Sequence, residues 1–362
     1  MKSAGLCKEQ KIVIGGIVLT SKERVYSALR HERPDRVPRF IWLGNGVIES
    51  MTRELGMTPL ALDVHLKNDI LQTWVSINRE MARELSDGAS FTDEWGITWK
   101  REGFHNMVTS HPLGSGDADF ISEYPLPDPY HPSRYEALKD LLSKYGESHF
   151  IGADVSGSLF EPAYHLRGME ELLMDHAMEN DEAEILLDRL EDFTTKVALE
   201  CVRLGVDWIW LGDDMGTQNG MIMSPSMWRE VFKPRMRRII AAIKAAKPGI
   251  FVAYHSCGSM SPIIPDLVEI GVDVLNPLQE SAKDMDHAAV KQDFGDRITL
   301  MCGLDTQTFL IEASADEVHT KTCEKIETLG YNGGFIFAAS HHIQHDTPKE
   351  NIDALFHELD KE

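Results

Sequence analysis

Eight short apolar runs, rich in β-branched and aromatic residues, alternate along this chain with stretches of helical periodicity, and that alternation limits the fold more than any other feature. The runs cover residues 37–43, 89–92, 150–155, 208–211, 250–254, 272–275, 298–301 and 335–337. Between them, Leu186, Leu190, Phe193, Val197 and Cys201 recur at spacings of three and four, which puts one apolar stripe on a helix. Similar patterns occupy 226–246, 261–270, 315–329 and 348–359. Strand followed by helix, repeated eight times, predicts an α/β fold of the (β/α)8 TIM-barrel kind. Thr20-Ser-Lys-Glu23 has capping-box spacing and opens an N-terminal helix, which stops near His31 because Pro34 and Pro38 push their predecessors to extended structure. Residues 101–148, with Pro112, Pro125, Pro127, Pro129 and Pro132, fit the repeat poorly and are expected to form an insertion around the barrel or near its mouth. The domain reading is a lead-in over 1–19 and one barrel over 20–362.

Charge narrows the partners. With 58 acidic against 36 basic residues the net charge is −22, which argues against nucleic acid or an anionic membrane as the main partner. The five cysteines (Cys7, Cys201, Cys257, Cys302 and Cys323) are odd in number and scattered, unlike a disulfide framework, and fit a reducing cytoplasm. The apolar run 12–19 lacks a small-x-small cleavage site, and no run reaches the roughly 18 apolar residues of a membrane span.

In such a barrel the working face is the rim at the carboxyl ends of the strands, so the residues just after each run carry the chemistry. His255 and Cys257 end the fifth run two residues apart, and extended chain points such residues to one side, where Gly258 lets the chain turn away. An imidazole beside a thiolate suits zinc. The pair could equally be a packed His and Cys in a barrel wall, since H-x-C is a short pattern. A third ligand is expected from another strand end, with His341 preferred and Cys302 in reserve. Of the adjacent Asp213 and Asp214, one must face away, and the expectation is that Asp213 caps a turn while Asp214 faces the pocket. Asp93 and Glu161 are further acid/base candidates, weighed against ordinary capping roles. Tyr164, His165, Gln218, Asn276 and Gln279 are the polar rim residues expected to bind substrate. The basic set Arg229, Lys233, Arg235, Arg237 and Arg238 reads as a solvated helix face with i,i+4 pairs.

Several longer stretches carry a resemblance. They are Thr20 to Arg30 with Arg33-Pro-Asp-Arg-Val-Pro38, Asp93-Glu-Trp-Gly96, Gly212-Asp-Asp-Met-Gly-Thr-Gln218, Tyr254-His-Ser-Cys-Gly258, Gly303-Leu-Asp-Thr-Gln307, and Gly333 through His341. Together they resemble the uroporphyrinogen decarboxylase-like superfamily, over most of residues 20–360. The resemblance implies a (β/α)8 barrel and one of two activities. The decarboxylases use an arginine-rich segment after the first strand, where this chain reads Phe40-Ile-Trp-Leu-Gly-Asn-Gly46 without arginine. The other branch is similar in its H-x-C motif and comprises zinc-dependent methyltransferases working with a separate corrinoid protein. Its thiol-methylating members place a Cys where this chain has His341, and the decarboxylases place a His there. No D-x-H-x-x-G run occurs, so a corrinoid would arrive on a partner. The expected function is a zinc-dependent, corrinoid-linked methyltransferase acting on a small molecule. A tetrapyrrole decarboxylase and a non-catalytic zinc- or tetrapyrrole-binding scaffold are the alternatives, and a homodimer follows from the family analogy alone.

Overall fold

The computed structural model describes residues 18–77, 86–103 and 105–361, so residues 1–17 of the lead-in lie outside it. Seven strands form one parallel sheet in chain order: Ile70–Trp74, Phe150–Asp154, Trp208–Gly212, Phe251–His255, Val274–Asn276, Thr299–Leu304 and Phe335–Ala339. Residues 37–43 supply the remaining stave, held by an isolated bridge from Arg39 to Phe337 of the last strand and by another from Leu43 to Ile343 just beyond it. On its other side one backbone bond, from the Asp69 N–H to the Arg39 carbonyl at 2.9 Å, is continued by a side chain. The buried Asn68 carboxamide accepts from the Ile41 N–H at 2.9 Å and donates to the Ile41 carbonyl at 3.1 Å. The sheet therefore curls into a TIM barrel whose seam is closed by these contacts.

Two of the expected strands need correction. Residues 89–92 do not belong to the barrel: Ser90–Thr92 is an edge of a three-stranded antiparallel sheet with Thr98–Glu102 and His105–Ser110. The cause is local. Gly96, at φ +78°, turns the chain straight back into a hairpin, whereas a parallel strand needs a long crossover. The barrel strand in its place is Ile70–Trp74, which Gln72 and Thr73 conceal in the sequence. Gln72 lies against the barrel interior because it is satisfied there, accepting from Trp208 Nε1 at 2.8 Å and donating to Asp154 at 2.9 Å. The insertion is correspondingly longer than 101–148, since it leaves after Trp74 and rejoins at Phe150.

The helical expectations fall on helices Asp181–Leu204, Pro225–Ala246, Ile264–Ile270, Ala315–Leu329 and Lys349–Leu359. All five residues of the stripe from Leu186 to Cys201 are buried against the sheet's outer face. The capping box at Thr20 and Glu23 forms, and helix Ser21–Leu29 presses Val25 and Leu29 into an inner core with Phe150, Trp208, Trp210 and Met301. That helix plugs the amino-terminal end of the barrel, which leaves the carboxyl end open. The basic residues of Pro225–Ala246 are also corrected: they pair with neighbouring helices instead of along their own. Arg229 and Lys233 meet Asp266, Arg235 meets Glu184 and Asp188, Arg238 meets Glu191, and Arg237 meets Glu269. Among the described residues no helix is long and apolar enough to cross a membrane.

Candidate metal centre

Register builds the centre. His255 stands level with Gly212 on one side and Asn276 on the other. Gly212 is needed for close approach, since a Cβ there would meet the His255 carbonyl at 2.4 Å and its Cβ at 2.8 Å. Asn276, level with His255 in a parallel pair, reaches it directly: His255 Nδ1 lies 2.8 Å from Asn276 Oδ1. The Asn276 amide nitrogen donates to the Met301 carbonyl at 3.1 Å, so its oxygen faces the histidine as acceptor and Nδ1 carries the proton. Nε2 is thereby left with its lone pair free for a cation.

That lone pair looks toward sulfur. His255 Nε2 is 3.5 Å from Cys257 Sγ, and the ligand atoms of His255, Cys257 and His341 all lie within 4.8 Å of one another. Across a tetrahedral zinc with bonds of about 2.05 and 2.3 Å, nitrogen and sulfur stand about 3.5 Å apart. The donor set fits zinc in charge as well. Burial, then the proximity of His255, holds the His341 imidazole down to about 4, so it is a neutral ligand at pH 7. Burial, followed by the Asp214 charge, pushes the Cys257 thiol up, so a thiolate there calls for a compensating cation. Gly258, at φ +75°, turns the chain away at once, and a Cβ there would strike the Gly216 carbonyl carbon at 2.5 Å. The Gly258 N–H is held by Gln279 Oε1 at 2.6 Å.

The two aspartates divide their work. Asp213 is buried, and its carboxylate accepts from the N–H groups of Leu159 and Glu161 at the start of helix Phe160–Arg167. Burial raises it to about 7 against the pull of those N–H groups. Asp214 accepts from the Cys257 N–H at 2.8 Å and lies 3.7 Å from His255 Nε2. Burial, then Asp214 and Asp213, lifts the Glu161 carboxyl well above its usual range. Tyr164 stands near these carboxylates, and burial with their charges raises its phenol.

Other expected site residues are spent elsewhere. Asp93 staples its own hairpin, accepting from the N–H groups of Trp95 and Ile97 and from Trp99 Nε1 at 2.7–2.9 Å. The catalytic expectation for it rested on the mistaken barrel strand. His165 is buried against Trp99 and Tyr164, and burial followed by His111 lowers it to about 3. Cys302 packs with the outer layer, while its neighbour Met301 faces the barrel interior, so the reserve ligand points away from the centre.

A cavity of about 490 Å³ opens beside Cys257 and His341, lined also by Gln218, Gln279, Gln307 and Gln344. Trp42, from the irregular stave, stacks on His342 at 5.1 Å and 30°, and Trp210 packs beside His255 at 6.0 Å. Gln307 and Gln344 belong to the polar segments that follow the last two apolar runs, yet neither they nor Trp42 stood among the expected site residues. A second group, His319, Cys323 and Glu358, also brings ligand atoms within 4.8 Å. Its geometry is that of hydrogen bonding: Cys323 Sγ approaches Glu358 Oε1 to 2.8 Å, well inside the roughly 3.6 Å that sulfur and oxygen span across zinc, and Lys361 and His319 also pair with that carboxylate.

Comparison with known proteins gives this geometry a lineage. Residues 20–361 match the family described as Uroporphyrinogen decarboxylase (URO-D). The uroporphyrinogen decarboxylase of Chlorobaculum tepidum is 23% identical over 176 residues, 48% of this chain. That alignment spans 47%, about half, of the decarboxylase's own length. A methylcobamide:CoM methyltransferase, MtbA, of Methanosarcina mazei is 24% identical over 265 residues, 71% of this chain and 76% of that protein. A solved methyltransferase structure from Methanosarcina mazei superposes with TM-score 0.70 at 21% identity, covering 95% of this chain and 99% of the other. The barrel with its seam, the plugged floor and the His-x-Cys rim thus sit within a family match that runs almost the whole chain: this protein belongs to the uroporphyrinogen decarboxylase family.

Proposed function

We propose that the chain is a zinc-dependent methyltransferase that moves a methyl group between a small molecule and a corrinoid held by a separate protein. The observation that carries the reading is the 3.5 Å approach of His255 Nε2 to Cys257 Sγ, with the imidazole proton parked on the Asn276 side. The similarity to the methylcobamide:CoM methyltransferase supports the same reading. His255, Cys257 and His341 would hold the ion, which when bound supplies Lewis-acid activation of a sulfur, nitrogen or oxygen at the methyl centre. Asp214 fixes the Cys257 backbone and so the direction of the sulfur. Glu161, whose affinity for a proton is raised by burial and by Asp214 and Asp213, is suited to hand a proton to a departing heteroatom or to receive one back. The cavity walls exclude bulk water from one side and align nucleophile, carbon and leaving group, as in-line transfer requires. Asp93 is left out of this machinery.

Metal analysis of the purified protein, paired with a spectroscopic assay of methyl–cobalt formation or loss against methyl ethers, methylamines and thiols, tests the proposal. One zinc per chain is expected, lost in His255→Ala and Cys257→Ala together with at least 100-fold of the activity. A metal-free preparation that turns over a porphyrinogen would replace this reading with the decarboxylase one.

A further inference from the structure

The cavity beside the three metal-binding side chains draws heavily on one residue type. Four of the chain's seven glutamines, Gln218, Gln279, Gln307 and Gln344, line it. They come from four different strand ends, following Trp208–Gly212, Val274–Asn276, Thr299–Leu304 and Phe335–Ala339. Gln279 spends its carbonyl on the Gly258 N–H and keeps its amide nitrogen for other partners. The carboxamides of Gln218, Gln307 and Gln344 make no hydrogen bond to another side chain or backbone group among the described residues. At the first strand's end, Trp74 is 38% exposed with its ring 6.5 Å from His342, and Trp42 lies beside it, so the mouth has one aromatic side and one carboxamide side.

A carboxamide is uncharged and presents two donors and an acceptor, which makes its best match another carboxamide. A corrin is a flat ring edged with primary carboxamide side chains, whereas a small methyl compound has only one or two polar edges. Four loops spread around more than half of the mouth suit the edge of a disc. Building on the function proposed above, we propose that this glutamine collar binds the side-chain carboxamides of the corrin ring, seating its metal-bound methyl over His255, Cys257 and His341. The two tryptophans would meet the apolar part of the same ring.

Free methylcobalamin, titrated into the zinc-loaded full chain and followed by absorbance or calorimetry, is the probe. Gln218→Ala, Gln307→Ala and Gln344→Ala combined should weaken its binding by about tenfold or more, the scale of losing a few neutral hydrogen bonds. Zinc content should stay as in the wild type, and the KM for the small methyl substrate should change less than the methylcobalamin affinity does. These side chains make no hydrogen bond within the described fold, and only Gln344 packs closely, against Gly44, so thermal melting should change little and a loss of binding is not a loss of folding. Unchanged methylcobalamin affinity in the triple variant overturns the proposal, as does a weakening confined to the small substrate, which would assign the collar to that molecule. A wild-type protein that retains zinc but binds no methylcobalamin overturns both this proposal and the corrinoid-linked function beneath it, whereas the triple-variant result leaves that function standing.

Discussion

Single residues decide whether the rim can hold a cation. His255 and Cys257 were readable because two-residue spacing in extended chain has only one outcome for side-chain direction. The role of Asn276 was not, since the register that sets it beside His255 depends on strands 21 residues apart. Asn276→Ala removes the acceptor that keeps the proton on Nδ1, and zinc affinity should fall about 10–100-fold in a chelator competition. Asn276→Asp retains an acceptor and should restore most of that affinity, so equal losses in both variants would refute the orienting role. Asp93 taught the reverse lesson: a carboxylate after an apolar run looks the same in sequence whether the run enters a barrel or a hairpin. A carboxyl far from the rim gives a pH signature. Burial raises Asp63 to about 6 from its ordinary 3.8, opposed by the Asn68 amide. In the folded state it therefore binds more protons than the unfolded chain between about pH 4 and 6. Its contribution to stability is complete below that window and is lost as pH rises through it. Asp63→Asn should flatten that part of the urea-stability profile, and an identical slope in both proteins would remove Asp63 from the account.

Elements were legible where a run was uniformly apolar and helices flanked it, as for Trp208–Gly212, Phe251–His255 and Phe335–Ala339. They were hidden where the barrel interior is polar. Ile70–Trp74 carries Gln72 inward because Trp208 and Asp154 wait for it, and no local pattern announces partners 136 and 82 residues away. The stave at 37–43 was located correctly, yet its irregularity follows from Pro38, which offers a carbonyl to Phe337 but has no N–H to return. Asn68 makes good the missing ladder. Asn68→Ala would strand the buried N–H and carbonyl of Ile41, at a cost of about 2–5 kcal/mol. Hydrogen exchange should then show residues 39–43 opening ahead of the seven-stranded sheet, and uniform global unfolding would speak against a side-chain seam. Opening there would also move Trp42, which is the physical link between this element and the imidazoles at the rim.

At the scale of the molecule the barrel has one working end because the other is closed, and the closure converges on Asp69. This side chain, with 0% exposure, accepts from Arg24 Nη1 at 2.6 Å and from Arg36 Nη1 and Nη2 at 2.8 and 2.9 Å. It also accepts from the Arg39 N–H at 2.9 Å. One carboxylate thereby ties the plugging helix Ser21–Leu29 and the seam stave to the foot of strand Ile70–Trp74. Arg24 has a second anion, Asp35, held below the usual carboxylate range by that guanidinium against the cost of burial, so the cluster carries two arginines on two carboxylates. Removing the central carboxylate leaves Arg24 paired once and the Arg39 N–H buried without a partner. Asp69→Ala should therefore cost about 3–5 kcal/mol in urea unfolding, the range for breaking a buried ion pair from one side. Because the rim lies at the opposite end, the folded fraction of this variant should still bind one zinc through His255, Cys257 and His341. A stable variant would mean that the floor closes on apolar packing by Val25 and Leu29 alone, while an unstable one whose folded fraction has lost zinc would mean that floor and rim are a single cooperative unit.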